Sequence, residues 1–579
     1  MRVGQRRRRK LDFWVLATAL AAVPAAGSAQ SIAPTRDELT RDQPPVPERR
    51  PNLNIVGGIE RSACPLAEPQ YADIKVTIQT VEFDHLKGAT QAELRPAWVS
   101  YAGSPQPVAV LCEIRDGAAT ILRNKGYLAA VQVPTQRIDN GIVHMETLFA
   151  RVVTVRARGQ TGGAEAKLAG YLSKLTDDEI FDRFRAERYL LLARDLPGYN
   201  VQLTLKPSGT GPGELIGEVS VVRLPFTADA MIQNLASKQT GRWGGQLRFQ
   251  AYGLTGLGDV TSASIYSTAQ VREQQIVQLS HSFRPGSEGL VVDGLFTYAW
   301  TQPDLNSPTV VPDLKARTLY ASLGTRYPLV RRQSHNLWIG GGLDFLNQDV
   351  EFFGPQSRDR LRIGFLRASW DAVDLRSRRP KWRASVTAEL RHGFNLFNAS
   401  KGCPTGGCAI GVIGPSRADG NPNATVARVS ADTELAVGKD FSLALSPRAQ
   451  LAFSPLFAFE EFTAGSYTVG RGYDPAILTG DSGAGLSAEL RGPRIIPSNI
   501  DSVSIQPFVF GDAAWVWNKR TPGDPQHLKS AGGGIRASLG DRFRIEGTLA
   551  EPLERAGLSN KRGGTRFLVT LTSRLLPWR

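Results

Sequence analysis

The chain has 579 residues, too many for one hydrophobic core, and this length favours two to four domains. Its 69 basic residues outnumber its 54 acidic residues, for a formal charge of +15. The charge is dispersed along the sequence rather than clustered on one helix, which argues against nucleic-acid binding. Beyond the N-terminal region, no run reaches the roughly 18 consecutive apolar residues of a transmembrane helix.

The first 29 residues have the pattern of a secretory signal peptide. Arg6 to Lys10 are basic, residues 11–26 are largely apolar, and Gly27-Ser28-Ala29 supplies small residues, so we expect cleavage after Ala29. A membrane anchor is the weaker alternative, because the apolar run is short and contains Pro24. An exported chain without a later apolar helix can span a membrane only as a closed barrel.

The four cysteines predict two disulfides in an oxidising compartment. Cys403 and Cys408 flank a Pro-Thr-Gly-Gly turn sequence, which favours a small closed loop, and Cys64 and Cys112 then remain as the second pair. A metal site is the alternative, but no histidine is near either pair in the sequence. We therefore expect neither a metal nor a cofactor.

Residues 30–73 are rich in proline, arginine and acidic residues, and they predict a linker or a mobile tail with one short helix near residues 35–42. Residues 74–153 then predict a compact α+β module. Its predicted elements are a strand at 74–78, a helical stretch, a helix at 118–125, and strands at 129–134 and 141–153.

The same pattern recurs in residues 154–224, which predict a second α+β module. We expect a strand at 153–157, a helix at 176–192, and a closing hairpin formed by residues 199–206 and 214–223.

From residue 225 to residue 579 the helical periodicity is replaced by alternation with a period of two. In residues 382–391, for example, Trp382, Ala384, Val386, Ala388 and Leu390 alternate with polar residues. A soluble antiparallel sheet would also show this pattern. The signal peptide and the length of the alternating region favour a transmembrane β-barrel of about 16 strands with a polar lumen.

One motif in the barrel region combines an arginine with glycines. Gly470-Arg471-Gly472-Tyr473 lies in a long turn-rich stretch, which suits a loop folded back into a confined space. In residues 503–515, alternation places Phe510 and Asp512 toward the lumen, where Asp512 could accept a bidentate bond from Arg471. The alternative is a solvated Arg471 and a pore-lining Asp512.

These motifs resemble those of the TpsB outer-membrane transporters of two-partner secretion, the haemolysin-activator family. Gly470-Arg471-Gly472-Tyr473 is similar to the family's Val-Arg-Gly-Tyr loop motif, with glycine in place of valine, and Phe510-Gly511-Asp512 is similar to its Phe-x-Asp strand motif. Further stretches that resemble the family are Arg188-Tyr189-Leu190-Leu191-Leu192, Asp195-Leu196-Pro197-Gly198, Asn234 with Thr240-Gly241, and Gly253 to Asp259. The C-terminus, Leu576-Pro577-Trp578-Arg579, departs from the terminal aromatic that is usual in such barrels.

The resemblance implies two POTRA modules, at residues 74–153 and 154–224, ahead of a 16-stranded barrel at 225–579. Family members also have an N-terminal segment that plugs the pore, so the resemblance makes residues 30–73 either a linker or a plug, although residues 36–42 are a poor helix and a proline-rich stretch follows. It also implies that Arg471 and Asp512 pair inside the barrel and pin the loop in the pore. The implied function is an outer-membrane pore that recognises an unfolded exoprotein through periplasmic POTRA modules and secretes it. Outer-membrane lipid and the barrel-assembly machinery are the other expected partners.

Three other functions are alternatives to secretion. A barrel-assembly insertase of the same superfamily is the first alternative, and a small-solute porin, which would not need POTRA modules, is the second. Gly480-Asp481-Ser482-Gly483 copies a serine-protease nucleophile sequence, but none of the six histidines has the expected setting. We therefore do not expect an enzyme.

Overall fold

The computed structural model describes most of the chain beyond residue 32. The described residues are 33–40, 54–55, 64–304, 314–377, 379–404, 408–409, 411–497, 502–520, 526–557 and 562–577. The predicted signal peptide and the last two residues lie outside the described residues. No helix among the described residues is long and apolar enough to cross a membrane.

The first module consists of a three-stranded sheet and one long helix. The sheet order is β3-β6-β5, and α3 packs on it with Ile114, Ala118 and Leu122 fully buried. Helix α3 begins at Val110, so the helix predicted at 118–125 is its last part only, and a disulfide joins Cys112 on α3 to Cys64. The elements, with the short pieces that precede them, are α1 (Arg36–Leu39), β1 (Asn54–Ile55), β2 (Lys75–Thr77), β3 (Thr80–Asp84), α2 (Gln91–Leu94), β4 (Pro105–Pro107), α3 (Val110–Asn124), β5 (Ala129–Gln132) and β6 (Ile142–Phe149).

The second module has two helices against a sheet of order β1-β8-β9-β7. The prediction of one helix over 176–192 is wrong, because the helix begins only at Arg183, where the Asp182 carboxylate caps the Phe184 N–H at 2.8 Å. A second helix was missed, although Leu168, Tyr171 and Leu172 have helical spacing and are buried on one face of it. The elements are β7 (Arg151–Gly159), α4 (Glu165–Ser173), α5 (Arg183–Arg194), β8 (Tyr199–Pro207) and β9 (Glu214–Arg223).

Sixteen antiparallel strands form a closed barrel, which confirms the predicted fold class. Each strand pairs with its neighbours, and the first pairs with the last. The barrel strands are β10 (Phe226–Gln233), β11 (Gly244–Tyr252), β12 (Val260–Thr268), β13 (Gln274–Phe283), β14 (Val291–Thr301), β15 (Lys315–Arg331), β16 (His335–Glu351), β17 (Pro355–Val373), β18 (Trp382–Gly393), β19 (Thr425–Val437), β20 (Phe441–Ala452), β23 (Ser482–Arg491), β24 (Val503–Trp517), β25 (Gln526–Leu539), β26 (Phe543–Pro552) and β27 (Arg566–Leu576). Two short strands between β20 and β23 are β21 (Phe462–Ala464) and β22 (Leu478–Gly480).

Alternation along each barrel strand separates an outer apolar face from an inner face. On β24, Val509 is 57% exposed on the outside, while Phe508 and Phe510 are 3% and 6% exposed on the inside. The outer face of the other strands likewise carries exposed leucine, valine and aromatic side chains. This wide apolar exterior is what a barrel immersed in lipid requires.

The barrel has two different ends. At the module end, where β10 follows the second module, most of the connections between strands are short. The loop end has the long connections. Two of them are the long loop, residues 453–481, and the disulfide loop, residues 394–424. In the disulfide loop, Cys403 and Cys408 form a disulfide.

The second module is fixed to the module end of the barrel by polar contacts. Asp195 receives two hydrogen bonds from Arg331 of β15, at 2.7 Å and 2.6 Å. Arg188 on α5 donates to the Pro328 carbonyl at 2.9 Å. Lys167 on α4 donates to the Gly286 carbonyl at 2.8 Å, and burial at this joint lowers the pKa of its ammonium group. The orientation of the module is therefore set by side chains from both of its helices.

Candidate functional site: the barrel lumen

The long loop folds from the loop end into the barrel. Strands β21 and β22 pair as a short antiparallel hairpin at its base, with Phe462 opposite Gly480. Between them the chain carries the Gly470-Arg471-Gly472-Tyr473 motif along the inner face of the barrel wall. Most side chains of the loop are buried, so it is packed in place rather than solvated.

Arg471 is held by the wall strands β23 and β24. Its Nε and Nη2 donate to the two carboxylate oxygens of Asp512 at 3.2 Å and 2.9 Å, and its backbone N–H donates to Asp512 at 2.9 Å. Nη1 donates to Glu489 at 2.9 Å, and Nη2 also reaches the Ser487 hydroxyl at 2.9 Å. The Asp512 side chain is only 1% exposed, so its charge depends on this arginine for compensation.

Phe510 is the platform on which the arginine lies. The Arg471 guanidinium carbon is 3.5 Å from the centre of the Phe510 ring, a cation–π arrangement. The ring in turn lies over Gly532 of β25, where an added Cβ would be 2.9 Å from the ring and 2.0 Å from the Leu549 carbonyl oxygen. The glycine thus leaves room for the ring that positions Arg471.

The glycines of the loop motif allow its close approach to the wall. Gly470 has a φ of +120°, which disfavours the valine that the motif usually has at this position. A Cβ at Gly472 would be 2.8 Å from the Pro552 nitrogen. The Tyr473 hydroxyl lies within hydrogen-bonding distance of the Lys529 and Glu554 carbonyls, at 2.8 Å and 2.9 Å.

Glu489 binds three arginines, and no sequence motif marked it as a site residue. It accepts hydrogen bonds from Arg471, from Arg491 at 2.8 Å and from Arg536 at 3.0 Å. Arg536 itself lies over the Phe508 ring at 4.2 Å. The alternation of β23 carried a signal for Glu489, because Ser487, Glu489 and Arg491 share one face of that strand.

A second cluster anchors the long loop to another part of the wall, at β16 and β18. Arg391 of β18 is 1% exposed and donates to both oxygens of Glu460 in the loop, at 2.9 Å and 3.0 Å. It also donates to Asp344 at 2.8 Å and to Glu389 at 3.1 Å. One guanidinium cannot balance three carboxylates, and further arginines bind them in the same network: Arg367 of β17 donates to Glu389, and Arg428 of β19 donates to Glu460.

The N-terminal segment 33–40 lies inside the barrel and contributes to this network. Arg36 on α1 donates to Glu389 at 3.0 Å, and Asp37 accepts from Arg448 at 3.0 Å and from Thr463 of the long loop at 2.6 Å. The Leu39 carbonyl accepts from Gln278 of β13 at 2.6 Å. Of the two expectations for residues 30–73, linker or plug, this part of the segment has the position of a plug.

The lumen is less polar than the strand alternation predicts. Leu39 is fully buried in an apolar cluster formed by the inner wall and the long loop. This cluster consists of Leu39, Tyr266, Ile276, Ala299, Tyr320, Leu346, Leu361, Ile363, Phe457 and Phe459. The expectation of a polar lumen is wrong for this sector, because apolar residues occupy inward positions where α1 and the loop cover them.

Asp481, in the protease-like tetrad at residues 480–483, holds connections of the loop end together. Its carboxylate accepts from Arg417 of the disulfide loop at 2.6 Å, from the Leu456 N–H at 2.7 Å and from the Lys519 N–H at 2.8 Å. Ser482 accepts from the Ala452 N–H at 3.0 Å. The tetrad thus ties three connections of the loop end together.

The other resembling stretches lie at the barrel margins. Asp259 ends the turn that begins at Gly253, and it accepts from the Thr255 N–H at 2.9 Å. Asn234 follows β10 and bonds to β27. In this architecture, two α+β modules precede a sixteen-stranded barrel whose lumen holds its own loop and an N-terminal segment.

Such an architecture defines the class of outer-membrane barrel transporters that carry POTRA modules. The family model of the haemolysin secretion/activation proteins ShlB/FhaC/HecB matches residues 219–537, more than half of the chain. The chain therefore belongs to this family of outer-membrane protein transporters, which confirms the resemblance found in the sequence.

Comparison with solved structures supports the same fold. CdiB from Escherichia coli is similar with a TM-score of 0.72 and 16% identity, covering 89% of this chain and 93% of that one. CdiB from Acinetobacter baumannii has a TM-score of 0.64 and 15% identity, covering 90% and 95%. BamA from Haemophilus ducreyi, solved without POTRA domains 1–3, has a TM-score of 0.50 and 13% identity, covering 86% and 100%. None of the curated protein sequences matches the chain.

Proposed function

We propose that this protein is a pore that secretes a dedicated exoprotein across the outer membrane, with its POTRA modules in the periplasm. The observation that carries the proposal is the plugged lumen, in which the long loop and segment 33–40 are held by ion pairs and hydrogen bonds. Such contacts can be exchanged for contacts to water or to a passing chain, whereas wall strands cannot be removed without opening the barrel.

The POTRA modules supply strand edges for the partner. In the first module β5 lies at one edge of its sheet, and in the second module β7 does so. An unfolded exoprotein could add a strand to such an edge through backbone hydrogen bonds, which tolerate many sequences. The fixed joint at Asp195 would then deliver the bound segment to the mouth of the barrel.

Release of Arg471 from Asp512 would clear the path along the wall. The long loop is anchored separately at Asp512 and at Arg391, so the Arg471 segment could move while Glu460 stays bound. No nucleotide is needed in this scheme, because folding of the exoprotein at the surface would make the movement irreversible.

The experiment is quantitative mass spectrometry of surface and medium proteins in cells with the gene, without it, and complemented by Arg471→Ala. We expect the loss of one or two large exoproteins, with the other outer-membrane barrels unchanged, and a matching loss in the Arg471→Ala strain at normal barrel levels. A broad decrease of many barrels would contradict the proposal and support the insertase alternative. BamA, to which the chain is similar, has a fold that suits that alternative.

A further inference from the structure

The barrel closes between β10 and β27, and this seam is its shortest pairing. Six residue pairs join the two strands, whereas seventeen join β16 and β17. The pairing ends at Gln233 opposite Thr570, yet β27 begins four residues earlier, at Arg566. At the loop end, therefore, the first residues of β27 pair with β26 on one side but have no part of β10 beside them on the other.

Asn234 covers part of this gap. Its side-chain amide donates to the Phe567 carbonyl at 2.8 Å and accepts from the Val569 N–H at 2.7 Å. Its backbone N–H donates to the Val569 carbonyl at 3.2 Å. One residue thus replaces a short length of missing strand, and the pairing stops there.

The long loop stands against the seam at the same level and contacts both of its sides. On the β10 side, the Ser466 hydroxyl donates to the Leu235 carbonyl at 2.8 Å. On the β27 side, Arg566 donates to the Tyr473 carbonyl.

Asp474 connects the two sides through one carboxylate oxygen. Oδ1 of Asp474 is 3.1 Å from Arg242, in the connection from β10 to β11, and 3.2 Å from Arg566 at the start of β27. Arg566 is 8% exposed, so this interaction is weakly screened by water. Without the carboxylate, two guanidinium groups would be left near one another across the weakest pairing of the barrel.

We propose that the long loop is a clasp across the seam, with Asp474 holding Arg242 and Arg566, so that withdrawal of the Arg471 segment also loosens the pairing of β10 with β27. Asp474 follows Arg471 by three residues, and Tyr473 between them is bonded to the wall. The segment that leaves Asp512 is therefore the segment that joins the seam. The clasp does not depend on what passes through the barrel. When the loop moves and the clasp opens, the loosened seam would widen the passage.

Amide hydrogen exchange of the purified full-length protein in lipid nanodiscs tests the clasp. We expect Asp474→Asn to raise exchange in β10 and at the start of β27 about tenfold, equivalent to ~1.4 kcal/mol, with β16 and β17 unchanged. Arg242→Ala, at a partly exposed position, should give a smaller rise in the same peptides. The matched control is Arg562→Ala, which removes an ion pair to Glu551 of 2.8 Å at the same end but on one side of the seam, and it should change nothing there.

A second variant tests the link between the loop and the seam. Arg471→Ala should raise exchange at β10 and β27 as well, and a disulfide between Met231→Cys and Thr572→Cys, which are opposite in register, should suppress that rise. The proposal is overturned if Asp474→Asn and Arg242→Ala leave exchange at the seam at the wild-type rate. It is also overturned if Arg471→Ala mobilises the loop while the seam stays protected.

Discussion

Arg471 connects the long loop to the barrel wall. Its side chain contacts Asp512, Glu489 and Ser487 and lies on the Phe510 ring. Lysine at this position would keep the charge but could not bind both Asp512 oxygens in the fork geometry of a guanidinium.

We expect Arg471→Ala to increase the ion conductance of single barrels in planar bilayers severalfold, and Arg471→Lys to give an intermediate value. Removal of the arginine leaves the buried Asp512 uncompensated, at a cost of about 3–5 kcal/mol, so the loop should lose its position. Arg562→Ala is the control for loss of an arginine at the loop end. Equal conductance of Arg471→Ala and wild type would mean that the pin does not hold the pore closed.

The sequence allowed the pairing of Arg471 with Asp512 to be anticipated, since the strand alternation placed Asp512 inward and the motif marked the loop. It did not reveal Glu489 or Arg391 as anchors. Charged residues at alternate positions look alike along every barrel strand, and only the path of the loop selects which of them become buried partners.

At the scale of elements, α1 is short yet well anchored. A four-residue helix has little stability of its own, so its position depends on Leu39 in the apolar cluster and on Arg36 and Asp37. The sequence indicated a short helix there, but composition alone could not distinguish a mobile linker from a segment buried in a lumen.

Leu39→Asp should expel α1 and raise the single-channel conductance without moving the Arg471 pin, because it places an unpaired charge in the apolar cluster. Leu39→Met, which keeps an apolar side chain, is the matched control. If both variants conduct like the wild type, α1 does not obstruct the pore.

The joint between the second module and the barrel has one bidentate ion pair, Asp195 with Arg331, among several hydrogen bonds. Asp195→Asn should cost about 1–3 kcal/mol of docking free energy, since an amide cannot accept both bonds from Arg331. We expect a broader distance distribution between spin labels at Arg156→Cys and Arg376→Cys. Asp178→Asn, which breaks an ion pair to Arg185 within the module, should leave the distribution unchanged. A narrow distribution in Asp195→Asn would show that other contacts fix the joint.

At the scale of the whole molecule, the modules and the barrel are stabilised by different interactions. The barrel is closed by its own strand pairing, whereas the small first module also has the Cys64–Cys112 disulfide, with a sequence separation of 48. Strand periodicity made the barrel predictable. The helices of the modules were displaced or missed, because α4 has only 9 residues and capping by Asp182 makes α5 begin later than predicted.

Cys64→Ser with Cys112→Ser should destabilise the first module by about 3–4 kcal/mol through the freed loop entropy. Pulse proteolysis of the full-length protein in urea should show earlier cleavage within residues 64–149. Cys403→Ser with Cys408→Ser, which opens a separation of only 5, is the control and should not change that cleavage. Unchanged cleavage in the first pair of variants would mean that the hydrophobic core alone holds the module.

The most direct test of secretion through the lumen is site-specific photo-crosslinking to an exoprotein that is stalled in transit. Ser264 and Ile265 are neighbours on β12, and Ser264 faces the lumen while Ile265, 50% exposed, lies on the outer face. With a photoreactive residue at Ser264, the stalled exoprotein should be captured, and at Ile265 it should not. Capture at Ile265 alone, or at neither position while secretion proceeds, would contradict the account.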